Sequence, residues 1–406
     1  SAPNEFRQLP SRGGPQRIAG RMAAAHRCIG SRQAVPFVAP PWAAHLRSVP
    51  ASRLQLGHFP TPVVRWQPLE PAPGWEGEFW LKRDDMTGLE LAGNKVRKLE
   101  FLLEEAVREG ADCVISCGGM QSNHCRAVAV ACATLGLESH LVLRHEDWAV
   151  EDDAAAVADV AMQGNLLMDR LVGAKIWVVT KKEYREQGSE PLMERVRAKL
   201  AAEGRKPYII KLGGSSPLGT WGYIDAFEEL RQQAEQMFGK GQGFSDIVIA
   251  TGSGGSLAGI ALANKLTGFG AKVWGFGAND TSEYHHSIIN SQILPGMLPE
   301  GSPALRSEDL AEITNAKNLG YAMTTPEELD VIRALAARTG VMFDPVYTGK
   351  AFRFFAKMYA EAPERFGKRI LFWHTGGIFG LWDRQTEFRE LVERHAPGDV
   401  SAVPRL

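Results

Sequence analysis

The stretch Ala250-Thr-Gly-Ser-Gly-Gly-Ser-Leu-Ala-Gly259 has the residue types of an anion cradle. It follows an apolar run at 246–250, read as a strand, and opens a helical pattern at 257–266. Gly252, Gly254 and Gly255 let the backbone turn tightly and aim its N–H groups at one point. The following helix adds its positive end, and Thr251, Ser253 and Ser256 add hydroxyl donors. No Walker-type lysine follows, which disfavours a nucleoside triphosphate, and the spacing does not fit the dinucleotide-binding fingerprint. A phosphate monoester suits the loop; a ligand-free strand-to-helix turn would use the same residues.

Two other stretches carry reactive groups. In Gly93-Asn-Lys-Val-Arg-Lys98 the lysine Lys95 stands beside Gly93 and Asn94, where the backbone can bring it close to a ligand, and ahead of an apolar helix. A lysine that attacks a carbonyl must be near-neutral, and a confined, partly desolvated position makes it so. By spacing alone Lys95 is one lysine among many, and the charged face Arg97–Glu100 after it reads as solvated helix surface. In Cys117-Gly-Gly-Met-Gln-Ser-Asn-His124, residues Ser122, Asn123 and His124 open a helix, where free N–H groups suit a carboxylate; an N-cap serine is the structural use of Ser122. Cys117, His124 and Cys125 could hold a metal, but buried free cysteine is the commoner reading, and no metal is expected. His285 and His286 read as surface helix residues.

These stretches need a scaffold. Short apolar runs alternate with helical patterns from about Leu54 onward, the signature of βαβ units and a parallel sheet. Strands are expected at 112–119, 138–143, 174–180, 208–212, 246–250, 272–277 and 369–373, and helices at 123–135, 191–203, 223–238, 257–266 and 326–338. A glycine turn follows a strand at Gly118, Gly213, Gly252 and Gly376, and open α/β sheets bind ligands at the carboxyl ends of strands. With 406 residues, two domains are expected. A net charge of −1 excludes a global basic field for nucleic acid or anionic membrane, and no apolar run is long enough to span a bilayer. Residues 1–47 differ: seven arginines, no lysine and Glu5 as the one acid. That composition is expected of an organellar (mitochondrial or chloroplast) targeting extension, placed at 1–50, with a cytoplasmic protein carrying a basic tail as the alternative.

The three motifs in this order resemble the family of ACC deaminase and D-cysteine desulfhydrase, pyridoxal-phosphate enzymes of the tryptophan-synthase-β-like fold (fold type II), over roughly residues 52–390. The resemblance implies an α/β protein with two open, mostly parallel twisted sheets. A small domain (98–207) would be inserted in a large one (51–97 and 208–406), with the site between them, and the chain would form a homodimer. It implies pyridoxal 5'-phosphate as cofactor, held by Lys95 as a Schiff base and gripped at Thr251–Ser256. Asn123 would bond the cofactor's phenolic oxygen. Ser122, Asn123 and His124 would bind a small amino-acid substrate, and Ser122 would carry a proton or act as nucleophile. Tyr321 and Tyr347 match family active-site tyrosines.

Thr348 and Thr375 choose the branch. Deaminases carry glutamate and, typically, leucine at these positions, so the threonines match the desulfhydrases. A carboxylate on the pyridine nitrogen strengthens the ring as an electron sink, which opening a cyclopropane requires. A thiol of pKa about 8.5 leaves more readily. Elimination of D-cysteine to pyruvate, ammonia and hydrogen sulfide is therefore the expected reaction, with ACC deamination or non-catalytic cofactor binding as alternatives. Either threonine could reach the nitrogen.

Overall fold

The alternating pattern resolves into two parallel sheets in the structure, a computed structural model that describes residues 33–145 and 162–395. A short antiparallel pair, β1 (Val35–Pro36) with β2 (Ser52–Arg53), precedes them. The larger sheet has the order β11-β10-β9-β12-β4-β3. Its strands are β3 (Val63–Arg65), β4 (Glu78–Arg83), β9 (Asp246–Thr251), β10 (Lys272–Gly277), β11 (Glu312–Asn315) and β12 (Arg369–His374). Only the edge strand β3 runs antiparallel. The smaller sheet, β7-β6-β5-β8, is parallel throughout. Its strands β5 (Cys113–Gly119), β6 (Glu138–His145), β7 (Lys175–Thr180) and β8 (Pro207–Ile209) all fall between β4 and β9 in chain order. β5 and β9 are buried along their whole length, as interior strands of a sheet covered on both faces must be.

Local chemistry explains most boundaries. The helix Pro326–Thr339 starts at a capping box formed by Thr325 and Glu328, has proline in its first turn and stops at Gly340 in the left-handed conformation. The helix Pro217–Phe238 begins well before the expected position 223, because the Ser216 hydroxyl caps the Gly219 N–H at 3.1 Å and Pro217 is pre-set for the first turn. The expected N-terminal extension ends earlier than residue 50. Ala43 and Leu46 are buried in the core of the larger sheet, Trp42 Nε1 donates to Glu228 at 2.8 Å, and the Phe37 ring meets Phe101 edge-on. The targeting segment up to residue 32 lies outside the described residues.

The reading of 97–100 as solvated helix surface is overturned. Arg97, Lys98 and Glu100 are 2%, 1% and 3% exposed on the helix Lys95–Arg108. Arg97 enters a buried ionic cluster. Asp84, just past β4, accepts from Arg97 Nε and Nη2 at 3.0 and 2.9 Å, from the Thr61 hydroxyl at 2.8 Å, from Tyr223 at 2.8 Å and from Trp373 Nε1 at 2.8 Å. Arg97 also forks onto Glu229 at 3.1 and 2.9 Å, and the Lys82 ammonium is shared by Glu229, Gln233 and the Thr61 carbonyl. Burial alone would push the Asp84 carboxyl up, but Arg97 and the other donors hold it at about 2. Amphipathic spacing could not reveal this, since a charged residue whose partners lie far along the chain looks like any surface residue.

Arg97→Met is expected to cost about 3–5 kcal/mol of stability, because it strands the Asp84 and Glu229 carboxylates in the interior. Asp84 titrates below its ordinary value when folded, so its contribution is full above that value and disappears as pH falls through about 2. The variant should therefore also unfold at higher pH on acid titration than the parent. Urea melts across the acid range check both; equal stability of the two proteins at neutral pH would refute the cluster's role.

Candidate active site

The carboxyl ends of both sheets face one cavity of about 210 Å³. All four glycine turns reach it, through Gly118, Gly213, Gly252 and Gly376. Of the residues expected to act, Lys95, Ser122, Asn123, His124, Gly252, Ser253, Tyr321, Tyr347 and Thr375 line it. Thr251, Gly254, Gly255, Ser256 and Thr348 are not part of its wall.

The lysine and the cradle meet across Gly213. A Cβ built there would lie 2.2 Å from Ser253 Oγ and 3.5 Å from Lys95 Nζ. Lys95 opens onto the cavity but is otherwise ringed by protein, and burial lowers its amine to about 8. An ordinary lysine would be protonated almost entirely at neutral pH, whereas this one keeps a usable fraction of free amine.

The cradle is assembled differently from the sequence expectation. Gly254, in the left-handed conformation at φ +85°, caps the helix Gly255–Thr267. The first amide of that helix is already engaged: Gly255 N–H donates to Ser215 Oγ at 3.1 Å. Ser215 Oγ also meets Ser253 Oγ at 2.7 Å and Lys98 Nζ at 3.2 Å. Ser256 Oγ accepts from Asn94 at 3.1 Å, and the Thr251 hydroxyl is buried without a protein partner. Lys98 donates to the Gly213 carbonyl at 3.2 Å and, among the described residues, has no carboxylate paired with it. Burial, and then the charge of Lys95, hold its amine well below the ordinary value. A buried lysine with no carboxylate partner, the Ser253 hydroxyl on the cavity wall and a glycine-framed helix start together suit an oxyanion. The neighbouring Lys95, with its lowered basicity, suits an aldehyde. The residues present therefore fit pyridoxal phosphate. Lys98 and Ser215 were not read from the sequence, although Lys98 stands one helical turn from Lys95 and hence on the same face.

Across the cavity, Ser122 caps the helix Asn123–Leu135 by accepting the Cys125 N–H at 3.2 Å, so the structural use and exposure to the site coexist. Asn123 Oδ1 accepts from Asn165 at 3.0 Å. His124 Nε2 meets the Ser116 hydroxyl at 2.9 Å while Nδ1 is buried without a partner; burial, then the charges of Lys95 and Lys98, keep the ring neutral. Tyr347 and Tyr321 stand with ring centroids 6.2 Å apart. Glycine is required beneath each ring, since a Cβ at Gly252 would lie 2.8 Å from the Tyr347 ring and one at Gly119 would lie 2.9 Å from the Tyr321 ring. Burial first, and Tyr321 second, push the Tyr347 phenol well up, so it stays protonated.

The two threonines separate. Thr375 faces the cavity. Thr348, expected as a cofactor contact, is fully buried and turned away: its hydroxyl donates to Asp344 Oδ1 at 2.6 Å and accepts the Asp344 N–H at 2.8 Å, closing the start of the helix Thr348–Glu361. His285, expected at the surface, is fully buried, and burial lowers its ring to about 4. Arg144, at the end of β6, lines the cavity and was not read from the sequence.

Comparison with known proteins agrees with this geometry. Residues 54–376 match the family described as pyridoxal-phosphate dependent enzyme. An Arabidopsis thaliana protein named bifunctional D-cysteine desulfhydrase/1-aminocyclopropane-1-carboxylate deaminase, mitochondrial, is 45% identical over 91% of this chain and 89% of its own. A D-cysteine desulfhydrase of Salmonella paratyphi A is 33% identical over 83% of this chain and 97% of its own. A crystal structure of an ACC deaminase homologue superposes with a TM-score of 0.70 at 32% identity, covering 87% of this chain and all of that one. With a partly buried lysine of lowered basicity beside an oxyanion cradle and relatives of this kind along most of its length, the chain belongs to the pyridoxal-phosphate dependent enzymes, in the family of D-cysteine desulfhydrase and ACC deaminase.

Proposed function

We propose that the chain eliminates hydrogen sulfide from D-cysteine, giving pyruvate and ammonia. The observation that carries this reading is the cavity wall beside Gly376: the uncharged Thr375 lines it, and Asp280 is the one carboxylate among the lining residues. Lys98 and Ser253 would hold the phosphate of pyridoxal phosphate, which would supply the electron sink for charge left at the substrate Cα. Lys95 holds the cofactor and then, as free amine, takes the Cα proton. The first amides of the helix Asn123–Leu135, with Ser122, hold the substrate carboxylate. The Cβ–S bond breaks with its electron pair leaving on sulfur as hydrosulfide, and the 2-aminoacrylate released hydrolyses to pyruvate and ammonia. Tyr347, which stays protonated, and Tyr321 beside it would be the donors to the departing sulfur. Thr375 would meet the ring nitrogen without fixing a proton there, which suffices for a thiolate leaving group.

The bifunctional name of the Arabidopsis relative supports a second, slower deamination of ACC. The segments 51–97 with 208–406 and 98–207 act in this reading as two domains that close on the substrate, and the protein works as a homodimer. An organellar address is supported by the arginine-rich N-terminus and by the mitochondrial relative.

Sulfide and keto-acid release from D-cysteine, L-cysteine and ACC should rank D-cysteine first; equal or faster turnover of ACC would overturn the reading of Thr375. In Lys95→Ala, turnover should fall by about 10³-fold or more. Borohydride treatment and peptide mapping should then find no cofactor mass on the peptide that carries it in the parent. Because the free amine is the attacking form, capture of pyridoxal phosphate by the apoenzyme should speed up with pH and level off above about 8. A midpoint near the ordinary lysine value of 10.5 would refute the desolvated lysine.

A further inference from the structure

Tyr321 rides on an irregular segment between β11 and the helix Pro326–Thr339. Irregular backbone does not hold a ring in place by itself, and this segment includes two non-glycine residues in the left-handed region, Asn318 at φ +51° and Ala322 at φ +57°. Such conformations persist only where the surroundings over-determine them.

Two cations do so, one on each side of the tyrosine. Lys350, fully buried on the helix that follows Tyr347, donates to the Gly320 carbonyl at 2.7 Å and to the Lys317 carbonyl at 3.0 Å. The Gly320 carbonyl belongs to the peptide that enters Tyr321. The carbonyl of Ala322, the residue after it, accepts from Arg384, which follows the Thr375–Gly377 turn. Burying an ammonium on two carbonyls, with the charges of Glu328 and Asp344 offsetting part of the cost, is an expensive way to fill space, since a methionine of similar length would fill it without desolvating a charge. What the arrangement gains is position. So held, the Tyr321 ring lies 6.2 Å from Tyr347, 5.2 Å from the Arg144 guanidinium and against Gly119, where the two sheets face each other.

We propose that Lys350 and Arg384 are positioning residues that clamp the carbonyls of Gly320 and Ala322, the residues flanking Tyr321, and thereby hold its hydroxyl over the reacting carbons. This rests on Tyr321 acting in the proposed elimination, and the test separates the two ideas. kcat and KM for D-cysteine are measured on the holoenzyme and on Tyr321→Phe, Lys350→Gln, Lys350→Arg and the Tyr321→Phe/Lys350→Gln double variant. Tyr321→Phe and Lys350→Gln should each lower kcat by about tenfold with KM changed less than about twofold, and Lys350→Gln should cost less than about twofold more once Tyr321 is Phe. Lys350→Arg, which keeps a cationic donor, should recover about half the parent's kcat. If Tyr321→Phe is impaired but the two losses multiply, the lysine acts elsewhere and the clamp is refuted while the tyrosine's role stands. Full activity in Tyr321→Phe refutes both. Should Lys350→Gln fail to fold, Arg384→Gln, on the partly exposed side, takes its place in the cycle: a loss absorbed by Tyr321→Phe supports the clamp, and losses that multiply refute it.

Discussion

One carboxylate ties the chemistry of this protein to its core. Asp84 accepts from Arg97, two residues beyond Lys95, and from Trp373, two residues before Thr375. The amine and the threonine, whose segments also meet where the Asn94 N–H donates to the Thr375 carbonyl at 3.0 Å, thus hang from the same buried ion. Tyr223 and Glu229 bring in the helix Pro217–Phe238, whose N-terminal approach carries Ser215. A cluster of this kind is weak evidence for net stability, because hydrophobic residues of equal volume would do as well. Its geometry is another matter: five donors converging on two oxygens leave Asp84 little freedom, and the site inherits that rigidity.

The sheet scaffold was legible because it is written locally. Continuous apolar runs such as β9, a proline and two glutamates at the start of the helix Pro326–Thr339, and a glycine turn after each central strand carry their meaning within a few residues. The four glycine turns also indicated where a cavity must be, and all four reach it. What stayed hidden was long-range pairing. Nothing near Arg97, Lys98 or Glu100 announces that their partners are Asp84 and Glu229, the Gly213–Ser215 turn, and the Leu56 and Gly57 amides. The threonines were a different case: Asp344, only four residues before Thr348, claims that hydroxyl locally, and no such acid precedes Thr375.

The cavity wall also reuses groups. Ser122 is both helix cap and site residue, and Ser215 caps the helix at Gly255 while touching Ser253 and Lys98. Such sharing leaves no slack: a hydroxyl that moved toward a ligand would release a helix end, so recognition must come from groups already in place rather than from rearrangement.

The burial of Lys98 without a carboxylate partner has a further consequence. It lies in the protein interior close to Lys95, and an incoming phosphate would relieve the repulsion that lowers its basicity. That anion is then as much a structural salt partner as a reagent, and a ligand that binds only the folded chain stabilises it by RT ln(1 + [L]/Kd), about 2.7 kcal/mol at a hundredfold excess over Kd. The loaded chain is thereby further from unfolding than the empty one.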